Sequence, residues 1–242
     1  MNEIYTIIIT SIAGISTLLG NILLFVPIKF KDKLLSFSLG LSFIVMFLIS
    51  IVELIPDALV IYINKFNFIY LFFIAFLFLM LGVIIVKMCE KKINNDDMLY
   101  RVGILSMLSL LIHNIPEGII CAMTSISNAE LGLKMTFIIM LHNIPEGICV
   151  ALPIYYSTRS KLKAFIYTAI SGLGEVVGAL ITILFLKPFI TPLFLFGVLL
   201  ITAGIMIYLS IYKILKTGMN YKEYYWLLIG ILLGIVVVVV TI

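Results

Sequence analysis

The chain has 242 residues, 63% of them hydrophobic and 12% charged, with a formal net charge of +4. Ordinary soluble domains hold about 45 to 50% apolar residues, so this composition excludes a soluble globular fold. The basic residues are scattered over short loops instead of gathered into a patch, which gives nucleic acid no footing.

Apolar runs long enough to cross a bilayer recur along the whole chain and leave no stretch for a separate soluble domain. They predict an all-α, polytopic membrane protein whose single transmembrane domain covers 1–242. Eight spans are expected, near 4–26, 34–63, 66–88, 99–126, 132–157, 161–186, 189–216 and 224–242. The first lacks a basic leader and a small-residue cleavage site, so it is expected as a retained helix and not a removed signal.

The second span carries MFLISIVELIP, Met46 to Pro56, with Glu53 and Asp57 one turn apart near its end. Such a pair either draws cations to an external mouth or is an ordinary interfacial pair. Met46, seven residues before Glu53 on the same face, is a packing residue first and a soft contact on an entry path second. The third span, with LFFIAFLFLM, has no polar face and should meet lipid or a second copy of the chain in a homodimer. After it comes the one extended polar stretch, KMCEKKINNDDMLYR, 87–101, which contains no histidine to collect metal.

The fourth and fifth spans each contain HNIPEG, at His113 to Gly118 and again at His142 to Gly147, and these hold the chain's two histidines. On a helix, His113 and Glu117 share a face at i and i+4, and Asn114 meets Glu117 at i and i+3, so one carboxylate can serve two adjacent sites. Pro116 removes a backbone N–H and frees the carbonyl of Ile112, while Gly118 clears space beside the acid. His142, Asn143, Pro145, Glu146 and Gly147 repeat this on the helix that runs back through the bilayer. Duplication is therefore expected to build two halves of one central site. Glu175, within SGLGEVVG of the sixth span, is placed at a similar depth, with Gly172, Gly174 and Gly178 allowing close packing.

The seventh span holds MIYLSIYKILK, 206–216, which resembles 46–56 at a constant offset of 160. The two helices would cross in opposite directions, implying a weak inverted repeat of three helices about the central pair, a 3+2+3 arrangement. That alignment sets Lys213 opposite Glu53. A fixed positive charge about 6 Å from a departing dication would cost roughly 5 kcal/mol at an effective dielectric of 20. Lys213 therefore needs either a neutralising acid or a route to the headgroups, and with Lys216 and Lys222 following it, snorkelling is the expected outcome. Tyr224, Tyr225 and Trp226 open the last span as an aromatic belt.

Thirteen of the Lys and Arg residues fall in alternate loops, at Lys29, Lys31 and Lys33, at Lys87, Lys91, Lys92 and Arg101, at Arg159, Lys161 and Lys163, and at Lys213, Lys216 and Lys222. The other side has Lys65, Lys134 and Lys187. The positive-inside rule then puts both termini outside the cytoplasm of a cell-membrane protein. Cys89, Cys121 and Cys149 show no paired spacing and are expected as packing residues, although Cys121 and Cys149 each fall one turn after a motif acid.

Three carboxylates inside a bilayer cost about 2.5 to 3.5 kcal/mol each, and no Lys or Arg lies in the middle of a span to offset them. Protons or metal ions remain. Two imidazoles, three carboxylates and two amide carbonyls suit zinc, iron, manganese, cobalt or cadmium as divalent ions. The alternatives are a buried polar network that merely holds kinked helices, and an intramembrane metalloenzyme. The second conflicts with zincin spacing, which needs a second His where Glu117 stands and a Glu where Asn114 stands.

Paired HNxPEG motifs on the fourth and fifth of eight helices resemble the ZIP (Zrt-, Irt-like protein) divalent-metal transporters, close to their broad-specificity prokaryotic branch. The resemblance extends to LLSFSLG before the second helix, ELIP at Glu53, ISGLGEVVG and AGIMIYLS at Ala203. It implies a two-metal centre. One ion would contact His113, Glu117, His142 and Glu146, and the other Asn114, Glu117, Asn143, Glu146 and Glu175. It also implies uptake of metal as substrate, with no catalytic cofactor, by a sliding of the site-bearing helices. The chain departs from the family at Tyr212 and Lys213, where acids are common, and in having no histidine-rich loop.

Overall fold

Asn128 alone separates the two motif-bearing helices. Its backbone N–H donates to Thr124 O at 2.8 Å, closing the fourth helix, while its side-chain Oδ1 accepts from the backbone N–H of Glu130 at 2.9 Å and of Leu131 at 3.3 Å, opening the fifth. A one-residue connection leaves only an antiparallel arrangement, so the two HNIPEG segments must face each other. The span expected to begin at 132 begins at Ala129 because this amide satisfies the first free N–H groups of the turn.

The computed structural model describes residues 3–25, 31–63, 67–92, 97–186 and 191–241, and among them there are helices and no strands. The helices are α1 (Glu3–Phe25), α2 (Lys31–Val60), α3 (Phe68–Lys92), α4 (Met98–Ser127), α5 (Ala129–Thr158), α6 (Lys161–Ile181, continuing through Thr182–Leu186), α7 (Pro192–Asn220) and α8 (Tyr224–Thr241). The first seven are long and apolar enough to cross a membrane, and the eighth contains a shorter apolar helix, Tyr224–Val240. The chain is a multi-pass membrane protein. Of the residues used to count charge, Lys29, Lys65 and Lys187 lie outside the described residues.

Four helices change pitch partway. α1 tightens to a 3₁₀ helix over Thr17–Phe25, and α2, α6 and α7 each widen to a π-helical turn, at Ser50–Leu54, Thr182–Leu186 and Ser210–Leu215. Segments of this kind leave backbone carbonyls off the regular ladder and concentrate where a helix must present side chains in an unusual direction. Those of α2 and α7 start 160 residues apart, the offset between 46–56 and 206–216.

α1, α4, α5 and α6 pack on one another, and a second set joins α2 to α8, α3 to α7 and α2 to α7. The sets meet where α2 and α8 lie on α5 and where α3 and α7 touch α4. Within the first set, helices approach through glycine. A Cβ at Gly14 of α1 would meet the carbonyl oxygen of Gly172 of α6, and a Cβ at Gly172 would meet that of Gly14. Likewise Gly118 of α4 lies against the carbonyl of Glu175, and Gly147 of α5 against that of Thr17. Without side chains at these points the backbones interlock, which fixes the depth of each neighbouring polar residue. α3 turns the other way: Phe72, Phe73, Phe76 and Leu77 are exposed, as expected of a helix facing lipid or a second subunit.

Candidate metal centre

Both motifs and Glu175 converge inside the α1, α4, α5, α6 set. His113, Asn114, Asn143, Glu146 and Glu175 have no exposed surface, His142 has 1% and Glu117 has 7%. Glu117 sits between the histidines: His113 Nε2 is 3.0 Å and His142 Nε2 is 2.9 Å from its Oε1. His113 Nε2 is 3.7 Å from Glu146 Oε1. The carboxylate of one helix therefore contacts the imidazoles of both, the i, i+4 spacing accounting for His113 and the antiparallel packing for His142. Among the described residues no three His, Cys, Asp or Glu side chains are arranged as they stand to hold a metal ion.

The asparagines are anchored alike. Asn114 Nδ2 donates to the carbonyl of Ser171 on α6 at 3.1 Å, and Asn143 Nδ2 donates to the carbonyl of Ala13 on α1 at 3.0 Å and to Glu175 Oε1. With each NH₂ held by a neighbouring helix, each Oδ1 points elsewhere. Asn114 Oδ1, Asn143 Oδ1, Glu117 Oε2, both oxygens of Glu146 and Glu175 Oε2 are buried and accept no hydrogen bond from the protein. A buried acceptor without a donor is costly, and several in one place form a set that only cationic or donor chemistry can satisfy.

Hydroxyls from outside the motif also reach backbone carbonyls of α5. Ser42 of α2 donates to Pro145 O at 3.2 Å, and Ser16 of α1 donates to Met140 O at 3.4 Å. Sequence reading missed Ser42, Ser16 and the carbonyls of Ala13 and Ser171. A lone serine in an apolar run gives a weak signal, and a backbone carbonyl gives none. Cys121 lies by the hydroxyls of Thr136 at 3.4 Å and Thr10 at 3.7 Å, and Cys149 by Ser106 at 3.4 Å, so both thiols sit in small hydroxyl clusters beside the donor set.

Glu53 is placed differently from a residue at an open mouth. The π-helical turn of α2 contains it, it is half-buried, and it lies within electrostatic reach of His113, His142 and Glu117. Asp57, one turn on, is exposed. Met46 is fully buried among core residues of α2 and its neighbours.

Lys213 corrects an expectation. It does not snorkel free: its Nζ is paired with Glu90 Oε1 of α3, which Arg101 of α4 also contacts through Nη2 at 3.0 Å. The neutralising acid comes from the polar stretch 87–101, where only histidines had been sought. A partly buried ammonium beside a carboxylate gains more from pairing than from stretching toward headgroups, since its side chain is 23% exposed.

The ZIP Zinc transporter family profile matches residues 95–241, which hold α4 to α8 with both motifs and Glu175. The chain is 36% identical over 261 residues to the zinc transporter ZupT of Chlorobium chlorochromatii (strain CaD3), covering 99% of this chain and 97% of the relative. It is 35% identical over 252 residues to the zinc transporter ZupT of Chlorobium limicola, covering 96% and 95%. Against the zinc transporter ZupT of Oceanobacillus iheyensis it is 35% identical over 262 residues, covering 99% and 97%. Similarity of this level over essentially the whole length, with the duplicated motif at the centre of the fold, shows that the chain belongs to the ZIP zinc transporter family.

Proposed function

We propose that this protein carries divalent transition-metal ions, zinc foremost and iron, manganese, cobalt and cadmium by the same donors, across the cell membrane into the cytoplasm. The observation that carries the reading is the group of buried oxygens on Asn114, Glu117, Asn143, Glu146 and Glu175 that no protein donor satisfies, set beside two imidazoles. A mixed nitrogen and oxygen set of this kind accepts a borderline dication. Entry of the metal displaces the histidines from Glu117, turning a contact between ligands into contacts with the ion.

Two ions share the centre in this reading. His113, Glu117, His142 and Glu146 hold one, and Asn114, Glu117, Asn143, Glu146 and Glu175 the other, with both motif acids bridging. Asp57 at the surface and Glu53 in the turn of α2 mark the way in, with Met46 lining its packed lower wall. The whole chain acts as one transmembrane domain of eight spans in a 3+2+3 order, with both termini outside. The matching π-helical turns of α2 and α7 and the equivalent crossings of α1 and α6 over the motif glycines support the inverted repeat. The ion is cargo, not a catalytic cofactor, and the protein is not an enzyme. The exposed aromatic face of α3 fits lipid or a homodimer partner.

Sealed proteoliposomes with a metal-sensitive dye inside test the reading. Metal-dependent flux that is lost in Glu117→Ala is the expected result. Stoichiometric binding of zinc with no flux under any gradient would refute transport.

A further inference from the structure

Between α3, α4 and α7, at the end where these helices bear their basic residues, lies a cavity of about 260 Å³ whose charged lining is Glu90, Arg101, Lys213 and Lys216. Three cations face one carboxylate, a formal excess of two positive charges. Glu90 Oε1 takes both Arg101 and Lys213, and among the described residues Lys216 has no acid within ion-pair distance. Arg101 uses one of its two terminal nitrogens on Glu90, leaving guanidinium donors for a second acceptor. Leu105 forms part of the cavity wall and also lines a slight apolar surface groove of about 10 Å³ between the same three helices, beside Val86, Leu108, Ile112 and Ile205.

A cationic mouth beside an apolar groove on the outer face of the helices matches an amphiphile. Inorganic phosphate would use the mouth alone, and a neutral hydrocarbon the groove alone. We propose that this is a binding site for an anionic phospholipid, its phosphate held by Arg101 and Lys216 and one acyl chain lying along the groove. The headgroup ties α4, which carries the first motif, to α7 of the other helix set, with Lys213 keeping Glu90 neutralised while Arg101 turns to the phosphate.

The test is native mass spectrometry of the full-length protein from detergent micelles containing equal amounts of phosphatidylglycerol and phosphatidylcholine. Phosphatidylglycerol should be retained preferentially. Lys216→Gln, which removes no ion pair and should leave the melting temperature unchanged, should reduce that preference about fivefold, as should Arg101→Gln. Lys216→Arg should keep it. Lys163→Gln, an exposed cation at the same end but away from the cavity, should have no effect. Equal retention of the two lipids would overturn the proposal. So would an equal loss in Lys163→Gln, which would mean a diffuse surface attraction. Displacement of the lipid by millimolar inorganic phosphate would assign the cavity to a free anion and sink the lipid reading.

Discussion

His142 of α5 and Glu117 of α4 meet at 2.9 Å, across a helix pair joined by a single residue. Because His113 reaches the same oxygen at 3.0 Å, Glu117 is the group through which the two motif copies touch. Loss of a partner outside the ligand shell of a metal site costs about 10 to 100-fold in affinity, so loss of a bridging ligand should exceed that range. Glu117→Ala and Glu146→Ala are expected to abolish high-affinity zinc binding measured by calorimetry. Asn143→Ala and Glu175→Ala should retain weaker binding, with a lower stoichiometry. Greater damage from Glu175→Ala than from either motif acid would contradict the two-ion assignment.

Uptake should fall with pH. An imidazole must be neutral to bind metal, so protons compete with zinc for His113 and His142 and affinity is lost as pH decreases. Flux in proteoliposomes of fixed internal pH should decline as external pH is lowered from about 8 to about 5, chiefly through a rise in KM. A profile without slope over this interval would remove both histidines from the ligand set.

Glu90 lies between Lys213 and Arg101, and this reverses what a free Lys213 would imply. Lys213→Ala leaves Glu90 with Arg101 and should change flux less than about twofold, because one cation still neutralises the acid. Lys213→Glu sets two carboxylates together and is expected to lower flux and thermal stability, where a lysine stretched to the headgroups would have predicted a gain. Glu90→Gln should be the most harmful of the three, since it leaves two cations unpaired. Flux and melting temperatures of the three variants decide the order.

Gly118 lies against the carbonyl of Glu175, and a methyl group there has backbone, not a flexible side chain, in its way. Gly118→Ala should cost about 1 to 3 kcal/mol of stability and push α6 away from α4. Zinc affinity should drop as well, although no ligand has been altered. Gly197→Ala meets the ring of Phe78, which can shift, and serves as the comparison in the same melting and binding assays.

Asn128→Ala removes the cap of α5 and should cost about 1 kcal/mol, visible as a lower melting temperature. Asn128→Asp keeps an acceptor at the same place and should recover most of it. An unchanged melting temperature in Asn128→Ala would show that packing of α4 on α5, and not the cap, holds this turn.

The helices and the central donor set were legible because both follow from strong local rules. Long apolar runs announce spans, and i, i+3 and i+4 spacing puts His113, Asn114 and Glu117 on adjoining faces. What the sequence did not disclose depends on pitch and on backbone partners. The π-helical turn that brings Glu53 within reach of the histidines follows no residue signature in SIVEL, and the carbonyls of Ala13 and Ser171 that orient the asparagines belong to every residue alike. The partner of Lys213 was hidden for another reason. It lies 123 positions away in a polar segment, and only the packing of α3 on α7 joins them.

The crossings of α1 and α6 over the motif glycines put Thr17 and Glu175 in equivalent places, one backbone pressed on Gly147 and the other on Gly118. Their side chains are unlike. Glu175 extends a carboxylate to Asn143, while Thr17 offers a short hydroxyl, buried and without a hydrogen-bond partner. A frame with near two-fold backbone symmetry thus carries a lopsided electric field, its negative pole displaced toward α6 and Asn143. In the two-ion reading proposed above the seats are therefore unequal, because Glu175 belongs to one of them alone. On that reading the seat that includes Glu175 would draw the first dication, and the seat of the two histidines would fill against the field of the ion already bound. The contrast between the Thr17 hydroxyl and the Glu175 carboxylate is what gives this frame its polarity.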